Sequence, residues 1–471
     1  MRSLPRGTTP GSTLSRILAL SALLTGCPGA KAARPAPPFP SWLDWPAPAA
    51  DVERWVARKD VSRLRRHGWY LWAGVNTPGP DGRPRWLSWP TLAQAFAPTA
   101  GSAREPPPLA PVAAVKAATT LEGMPYYVIP ERVRALYRIP EDTEVLPDGE
   151  VFQSSGHILL ASVAYNDDAF AALRAQGLHR SAELARRRSR GDRELGGLPR
   201  TSIVLKHMYW PVRRDGPSAL PVWDDAPPPR TPVYAGYETW KRAVAVDAQG
   251  RHPVGRRRRV SLLHDVFRED GAPFGPVTWE AEVVPLESFY RRSLSLADLR
   301  ALAPRDRALL DAAAWWAYGR VFEPGDWLVS VAMHITTRER PGWTFQSLWW
   351  HDRPDRGPYA ADRPDLPVAA APGPWRHYLM TSTCGIQAEP VPGQSARWPV
   401  AYNPFIELAL GHPIDTSCIA CHARAGWPAG SGGASYDDGP GRLDARPSGD
   451  PYFEGLLRTD YQWAIPDRAT P

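Results

Sequence analysis

The pattern of hydrophobic and polar positions predicts many short strands and few helices. Strand-like runs cover residues 158–165, 202–209, 233–246 and 259–267. A longer run, 327–337, is followed by the turn-forming sequence 338–342 and a second run, 343–352, so these three segments predict a β-hairpin rich in tryptophan.

Helical patterns are found at 51–59, 167–177 and 293–316. The chain of 471 residues contains 54 Pro, which disfavour long helices. It also contains 21 Trp, a residue type that suits half-buried strands. The length allows two to three domains or one elaborated domain. We therefore expect an α+β fold with a mainly β body and short helices.

The first 26 residues have the pattern of an export signal. Arg2, Arg6 and Arg16 precede the apolar run 17–24, which is too short for a membrane span of about 20 residues. Residues 24–27, at the end of this run, are Leu-Thr-Gly-Cys, which resembles the lipobox of bacterial lipoproteins. This resemblance implies that Cys27 becomes the lipid-bearing N-terminus. An ordinary signal peptide with a chance cysteine, or an apolar N-terminal helix, is the alternative.

The predicted organisation has four parts. They are a signal peptide at 1–26, a Pro/Ala-rich tether at 27–45, a β-rich body at 46–400 and a C-terminal segment at 401–471. Removal of the signal would lower the formal net charge from +7 to +4, which does not indicate nucleic-acid binding. The arginine runs 186–190 and 256–259 fit solvated loops, or a surface for an acidic partner or lipid headgroups.

The C-terminal segment contains the most specific motif. Cys418, Cys421 and His422 form C-x-x-C-H, the pattern of covalent haem attachment. On a helix, positions i, i+3 and i+4 share one face. Both thiols can then add to the vinyl groups of one porphyrin, while His422 reaches the iron. Residues 415–417 and Gly426 favour helix ends on either side of the motif.

Two other uses of the two thiols stay open. A thioredoxin-like dithiol usually follows an early strand, whereas this pair lies near the C-terminus. A structural zinc site would need a fourth ligand beside Cys418, Cys421 and His422, and Cys384 could supply it. Otherwise Cys384 is expected to be a buried, inert thiol.

The sixth iron ligand must come from upstream, because the 49 residues after His422 contain neither Met nor His. Upstream candidates are Met124, Met208, Met333 and Met380, with the neighbouring His207 and His334, and His351 in the predicted hairpin. The ligand matters because a thioether raises the reduction potential, two histidines lower it, and an open position binds small molecules.

The stretch 325–380 contains Met-His-Ile-Thr-Thr, Trp-Trp-His-Asp-Arg-Pro and Trp-Arg-His-Tyr-Leu-Met. With 403–407 and 457–463, it resembles exported bacterial proteins of the cytochrome c family that carry one C-terminal C-x-x-C-H. The resemblance covers about residues 150–465 and implies export and one covalent haem c. It also implies a histidine as distal ligand, with His351 the first choice and His334 the second. It supplies no reaction.

These observations predict a lipid-anchored, periplasm-facing monohaem c-type cytochrome in the bacterial cell envelope. It would carry single electrons to or from a redox partner protein, touch the membrane through its lipid, and bind no nucleic acid. The alternatives are a haem enzyme or sensor with an open axial site, and an envelope binding protein with an auxiliary haem. No catalytic residue is predicted.

Overall fold

The computed structural model describes residues 39–79, 82–98, 123–224, 234, 236–262, 264–268, 271–366, 373–384, 401, 403–407, 418–429 and 451–470. The predicted signal peptide 1–26, Cys27 and most of the predicted tether therefore lie outside the described residues. Among the described helices, none combines the length and hydropathy needed to cross a bilayer.

The strands are short and follow one another closely along the chain. They are β1 (Tyr126–Tyr127), β2 (Gln153–Ser154), β3 (Leu160–Tyr165), β4 (Ile203–Val212), β5 (Ser218–Val222), β6 (Arg242–Asp247), β7 (Arg257–Leu262), β8 (Val266–Phe267), β9 (Val277–Pro285), β10 (Arg291–Ser293), β11 (Trp327–Thr337), β12 (Thr344–Trp350), β13 (Tyr378–Cys384), β14 (Gly426–Trp427) and β15 (Leu457–Arg458).

The helices of the described residues mostly flank these strands. They are α1 (Ala49–Ala57), α2 (Val61–Val75), α3 (Leu92–Phe96), α4 (Glu131–Tyr137), α5 (Asp167–Ala175), α6 (Ser181–Ser189), α7 (Leu296–Ala301), α8 (Pro304–Tyr318), α9 (Cys418–His422) and α10 (Ala464–Arg468). The expected mixed α+β fold is confirmed.

The largest sheet of the described residues has the order β13-β12-β11-β4-β3-β2, and β10 pairs with the first residues of β11. All of its pairings are antiparallel. Every residue of β12 and β13 is buried. A sheet that is covered on both faces explains why these strands have continuous apolar runs instead of strict alternation.

The two faces of this sheet have different roles. Lys206 and Ser347 both lie directly opposite His334 on neighbouring strands, so the three side chains share one face, here called the front face. The back face, through Leu205 and Met333, belongs to the main hydrophobic core. The front face packs against the C-terminal residues in a second cluster that includes Val204, Phe345, Ile419, Ala423, Leu457 and Tyr461.

A second sheet has the order β5-β6-β9-β7, in which only β6 and β9 run parallel. Its strand β7 carries part of the arginine run noted in the sequence. Arg257 and Arg259 are exposed and lie opposite Glu282 and Glu280 of β9. Opposite charges on facing strand positions attract, so this arginine run is partly balanced by its own sheet.

The predicted hairpin is confirmed, since β11 covers 327–337 and β12 begins one residue after the predicted start. The predicted helix 293–316 is instead two helices, α7 and α8. The break occurs because Pro304 takes the first helical position of α8, where its missing N–H costs nothing. Among the described residues of the run 233–246, the part from Arg242 onward is strand. Helix α2 was not predicted.

Candidate cofactor site

The C-x-x-C-H motif forms helix α9, as the sequence predicted. Cys418 and Cys421 are free thiols, and the described cysteines contain no disulfide. The buried side chains of Ile419 and Ala423 attach this short helix to the front face of the large sheet. Helix spacing brings Cys418, Cys421 and His422 to one side, the arrangement that attachment of a single porphyrin requires.

The ring of His422 is oriented by a backbone carbonyl. Its Nδ1 lies 2.7 Å from the carbonyl oxygen of Tyr461. A carbonyl can only accept, so Nδ1 carries the proton and Nε2 keeps its lone pair. Metal-bound histidines are commonly oriented in this way. The Phe345 ring lies 4.9 Å from the imidazole, centroid to centroid.

Burial lowers the pKa of His422 to about 4, against the opposing effect of its hydrogen bond to Tyr461. The ring is therefore neutral at pH 7, the form that binds iron. The surrounding chain also holds the helix end, since the Trp463 indole N–H donates to the carbonyl of Cys421 at 3.1 Å. The ligand and its support thus come from two segments that are about 40 residues apart.

The two thiols do not have the properties of a reactive dithiol. Burial raises the pKa of Cys421 to about 12 and moves the pKa of Cys418 well above its usual value. Redox-active cysteines need a lowered pKa, because the thiolate is the reacting species. These environments disfavour the thioredoxin-like alternative.

His334 is brought directly to this helix. Its Nε2 lies 2.9 Å from Oε1 of Glu407, and one ligand atom each from His334, Glu407 and Cys418 lie within 4.8 Å of one another. The His334 side chain is 13% exposed. Its Nε2 is buried, and the Glu407 carboxylate is its close polar contact among the described residues. A histidine ring paired with a carboxylate is a common arrangement in metal sites.

Glu407 is positioned by Asn403. The Asn403 side-chain amide donates to Oγ of Ser347 at 2.9 Å and to the carbonyl of Leu348 at 3.0 Å. Its side-chain oxygen accepts from the backbone N–H of Phe405 at 3.0 Å. Asn403 also donates its own backbone N–H to the Glu407 carboxylate. The buried amide of Asn403 therefore fixes the segment 403–407 on β12. In this position the Glu407 carboxylate faces His334.

Lys206 adds a cation to the same face. It lies directly opposite His334 in the sheet and is half-buried. Its ammonium makes no hydrogen bond or close ion pair with the described residues. Burial lowers the pKa of Lys206, while the nearby charges of Glu407 and Cys421 oppose that effect. The candidate site thus combines one carboxylate and one amine beside the thiols.

His351, the first choice from sequence, has a different environment. Its Nε2 donates to the carbonyl of Trp223 at 2.9 Å, and its Nδ1 accepts from the backbone N–H of Arg353 at 2.8 Å. Both ring nitrogens are therefore used by the fold. His351 is four residues beyond Ser347, about 13 Å along an extended chain. Of the two predicted histidines, the structure brings His334 and not His351 to the motif.

Three of the remaining candidates, His207, Met333 and Met380, point to the back face. Met208 has the same register as Lys206, and its side chain belongs to the main core. Cys384 clusters with Ala47, Val52 and Leu64. The zinc alternative from the sequence requires Cys384 to lie beside the two motif thiols. The structure instead places Cys384 in another cluster.

Comparison of the chain with protein-family models, curated protein sequences and solved structures finds no match. The assignment of the site therefore depends on its own residues. These fit a covalently attached haem, because the thiols are free, the His422 ring is oriented and neutral, and a second imidazole lies beside them. Sequence reasoning missed Glu407 and Lys206 as site residues. The only available signal was the position of Glu407 in the segment 403–407, just before the motif.

Proposed function

We propose that this chain is a monohaem c-type cytochrome that carries single electrons. Cys418 and Cys421 would form the thioether bonds, and His422 would be the proximal ligand. The observation that carries the proposal is the hydrogen bond from His422 Nδ1 to the carbonyl of Tyr461, within a helix that presents two free thiols. Bound haem c supplies one-electron exchange between ferric and ferrous iron.

The protein residues have separate tasks in this proposal. The sheet face and the C-terminal segment hold the motif helix in place, since Ile419 and Ala423 are buried in their shared cluster. Tyr461 keeps the proton on His422 Nδ1. His334 is our candidate for the distal ligand because its imidazole is the second one beside the motif, close to Cys418.

A haem enzyme or sensor with an open axial position is the second candidate function. The observation that favours it is the Glu407 carboxylate, 2.9 Å from the His334 nitrogen. A carboxylate and an imidazole in contact can move a proton to or from a small molecule. Carbon monoxide binding to the reduced protein separates the two functions, because only an open position binds it rapidly.

Anchoring through Cys27, a periplasm-facing location and a redox partner protein in the cell envelope complete the proposal. They depend on the sequence pattern of the first 27 residues and on the chemistry of haem attachment, which takes place after export. Palmitate labelling of the full chain tests the anchor. Transfer of the label to wild type but not to Cys27→Ala is the expected result.

The central experiment is expression of the full chain in a host with a c-type haem attachment system. Acid–acetone extraction removes loosely bound haem, and a reduced pyridine spectrum then measures what remains. We expect one haem per chain in wild type and in the matched thiol control Cys384→Ser. Cys418→Ser and Cys421→Ser are each expected to lose one thioether bond. Complete loss of haem from the wild-type chain on extraction would refute the proposal.

A further inference from the structure

Three different donor atoms converge beside the candidate haem helix. They are a ring nitrogen of His334, a carboxylate oxygen of Glu407 and Sγ of Cys418, all within 4.8 Å of one another. Each comes from a different segment of the chain, namely strand β11, the segment 403–407 and helix α9. Folding therefore assembles the cluster, and local sequence does not explain it.

The three donors contact mainly one another. The buried Nε2 of His334 lies 2.9 Å from Oε1 of Glu407. The described contact of the Cys418 thiol is a long one, 3.8 Å to the carbonyl of Ala401. Glu407 has one carboxylate oxygen on the backbone N–H of Asn403 and directs the other towards His334. The imidazole, the carboxylate and the thiol are therefore gathered in one place.

The spacing is close to that of a tetrahedral metal site. Bonds of about 2.0–2.3 Å at tetrahedral angles place ligand atoms roughly 3.5 Å apart. The cluster is within 4.8 Å, so small side-chain rotations bring the donors to bonding distance. Imidazole, carboxylate and thiolate together suit zinc-like ions and do not suit Mg²⁺ or Ca²⁺, which prefer oxygen ligands alone.

We propose that the protein without haem binds one divalent transition-metal ion of the Zn²⁺ class through His334, Glu407 and Cys418. Binding releases the thiol proton of Cys418, so the carboxylate and the thiolate balance the charge of the ion. Water completes the fourth position, as in zinc sites with three protein ligands. The ion would close the space between helix α9 and the front face of the sheet.

This metal site and a covalent haem exclude each other. Formation of a thioether at Cys418 replaces its thiolate by a neutral sulfur and removes the negative ligand that the ion needs. The inference does not depend on the proposed cytochrome function, since the three donors converge in the chain itself. If both are correct, the ion leaves before haem is attached.

Cobalt provides a direct test, because a cobalt–thiolate bond absorbs in the near ultraviolet. The full chain is produced without a haem attachment system, kept reduced, and titrated with Co²⁺ while its fold is monitored by circular dichroism. We expect one equivalent to bind, with the charge-transfer band and the strong visible bands of a four-coordinate ion. The thiol control Cys384→Ser, whose cysteine lies in another cluster, is expected to bind identically.

The ligand variants define the site. Cys418→Ser is expected to lose the charge-transfer band. Loss of a group that only supports a ligand weakens metal binding roughly 10- to 100-fold. His334→Ala and the isosteric Glu407→Gln remove direct ligands, so each is expected to weaken Co²⁺ binding by at least this factor. A wild-type chain that shows no band, or does not fold with Co²⁺ present, would overturn the inference. A band that survives in Cys418→Ser but disappears in Cys421→Ser would also overturn it.

The outcomes for the metal site and for the cytochrome function are distinguishable. If the chain gains covalent haem in the maturation host but the haem-free chain binds no cobalt, only the metal-site proposal is refuted. If the chain binds cobalt but gains no covalent haem, the metal-site proposal stands and the cytochrome proposal is refuted.

Discussion

His334 and Lys206 are directly opposed on the antiparallel strands β11 and β4. Their side chains therefore share the front face of the sheet, against which helix α9 packs. One residue is a candidate ligand whose Nε2 lies 2.9 Å from Glu407, and the other is an amine whose pKa is lowered by burial and raised by the nearby Glu407. The register of two strands thus places a cation beside the candidate redox centre.

The first prediction concerns this cation. Replacing Lys206 by Met is expected to lower the reduction potential of the haem protein on the order of tens of millivolts, because a nearby positive charge favours the ferrous state. Spectroelectrochemical titration measures the change. Lys241, which is exposed, supplies the matched control Lys241→Met. An equal shift in both variants would mean that the position of Lys206 has no special effect.

The second prediction separates the two candidate distal histidines. His334→Ala is expected to open the sixth position, so that the reduced protein binds carbon monoxide. His351→Ala is expected to leave the visible spectrum unchanged but to lower stability, since both ring nitrogens of His351 bond to the backbone. Carbon monoxide titration and thermal melts measure both effects. Carbon monoxide binding only in His351→Ala would reverse the assignment.

The third prediction concerns Asn403, which holds the segment that carries Glu407. Asn403→Ala is expected to lower the free energy of unfolding by about 2–4 kcal/mol, because several buried hydrogen-bonding groups lose their partner. Urea titration of the full chain gives the value. Ser347→Ala removes only one of these bonds and is expected to cost about 1 kcal/mol. Equal losses would argue against Asn403 as the organising residue.

The fourth prediction is a pH dependence that arises from Glu238, a residue outside the candidate donor set. Glu238 is buried and accepts hydrogen bonds from the hydroxyls of Tyr127 and Tyr234. Burial raises its pKa from 4.5 to about 8. Between these values the folded state holds a proton that the unfolded state has released, so stability falls as pH rises.

The expected slope for Glu238 is up to about 1.4 kcal/mol per pH unit between pH 4.5 and 8. Glu238→Gln cannot titrate and keeps the same shape, so its stability is expected to change less over this range. Urea unfolding at several pH values measures the difference between the two proteins. Identical slopes would show that Glu238 is ionised in the folded state.

Local patterns predicted the elements that depend on local chemistry. The hairpin, the strands around residues 160 and 205, and helix α9 follow from apolar runs, turn residues and capping residues. Helix α2 was missed although it is 15 residues long. Its buried face includes Arg65 and His67, whose partners Met380 and Glu339 are remote in sequence. Buried polar residues such as Arg65 and His67 interrupt the apolar face of the helix, so the sequence does not show a clear amphipathic pattern.

The helix that carries the motif was predictable because the spacing of its residues is local, whereas the opposite side of the candidate site was not. His334 was the second choice, and it reaches helix α9 only through the pairing of β11 with its neighbours. Glu407 needs Asn403 to hold its segment on β12. Lys206 joins them by strand register alone. Register between distant strands is set by the packed fold, so local patterns cannot supply it.

The order of these parts along the chain has a consequence for biogenesis. The strands that form the front face are complete at Cys384, 34 residues before Cys418. Because synthesis runs from the N-terminus, the strand side of this surface precedes the motif, whereas Leu457 and Tyr461 of the same cluster follow it. Docking of the helix buries Ile419 between the two. In the proposed cytochrome, haem attachment would therefore compete in time with this last folding step.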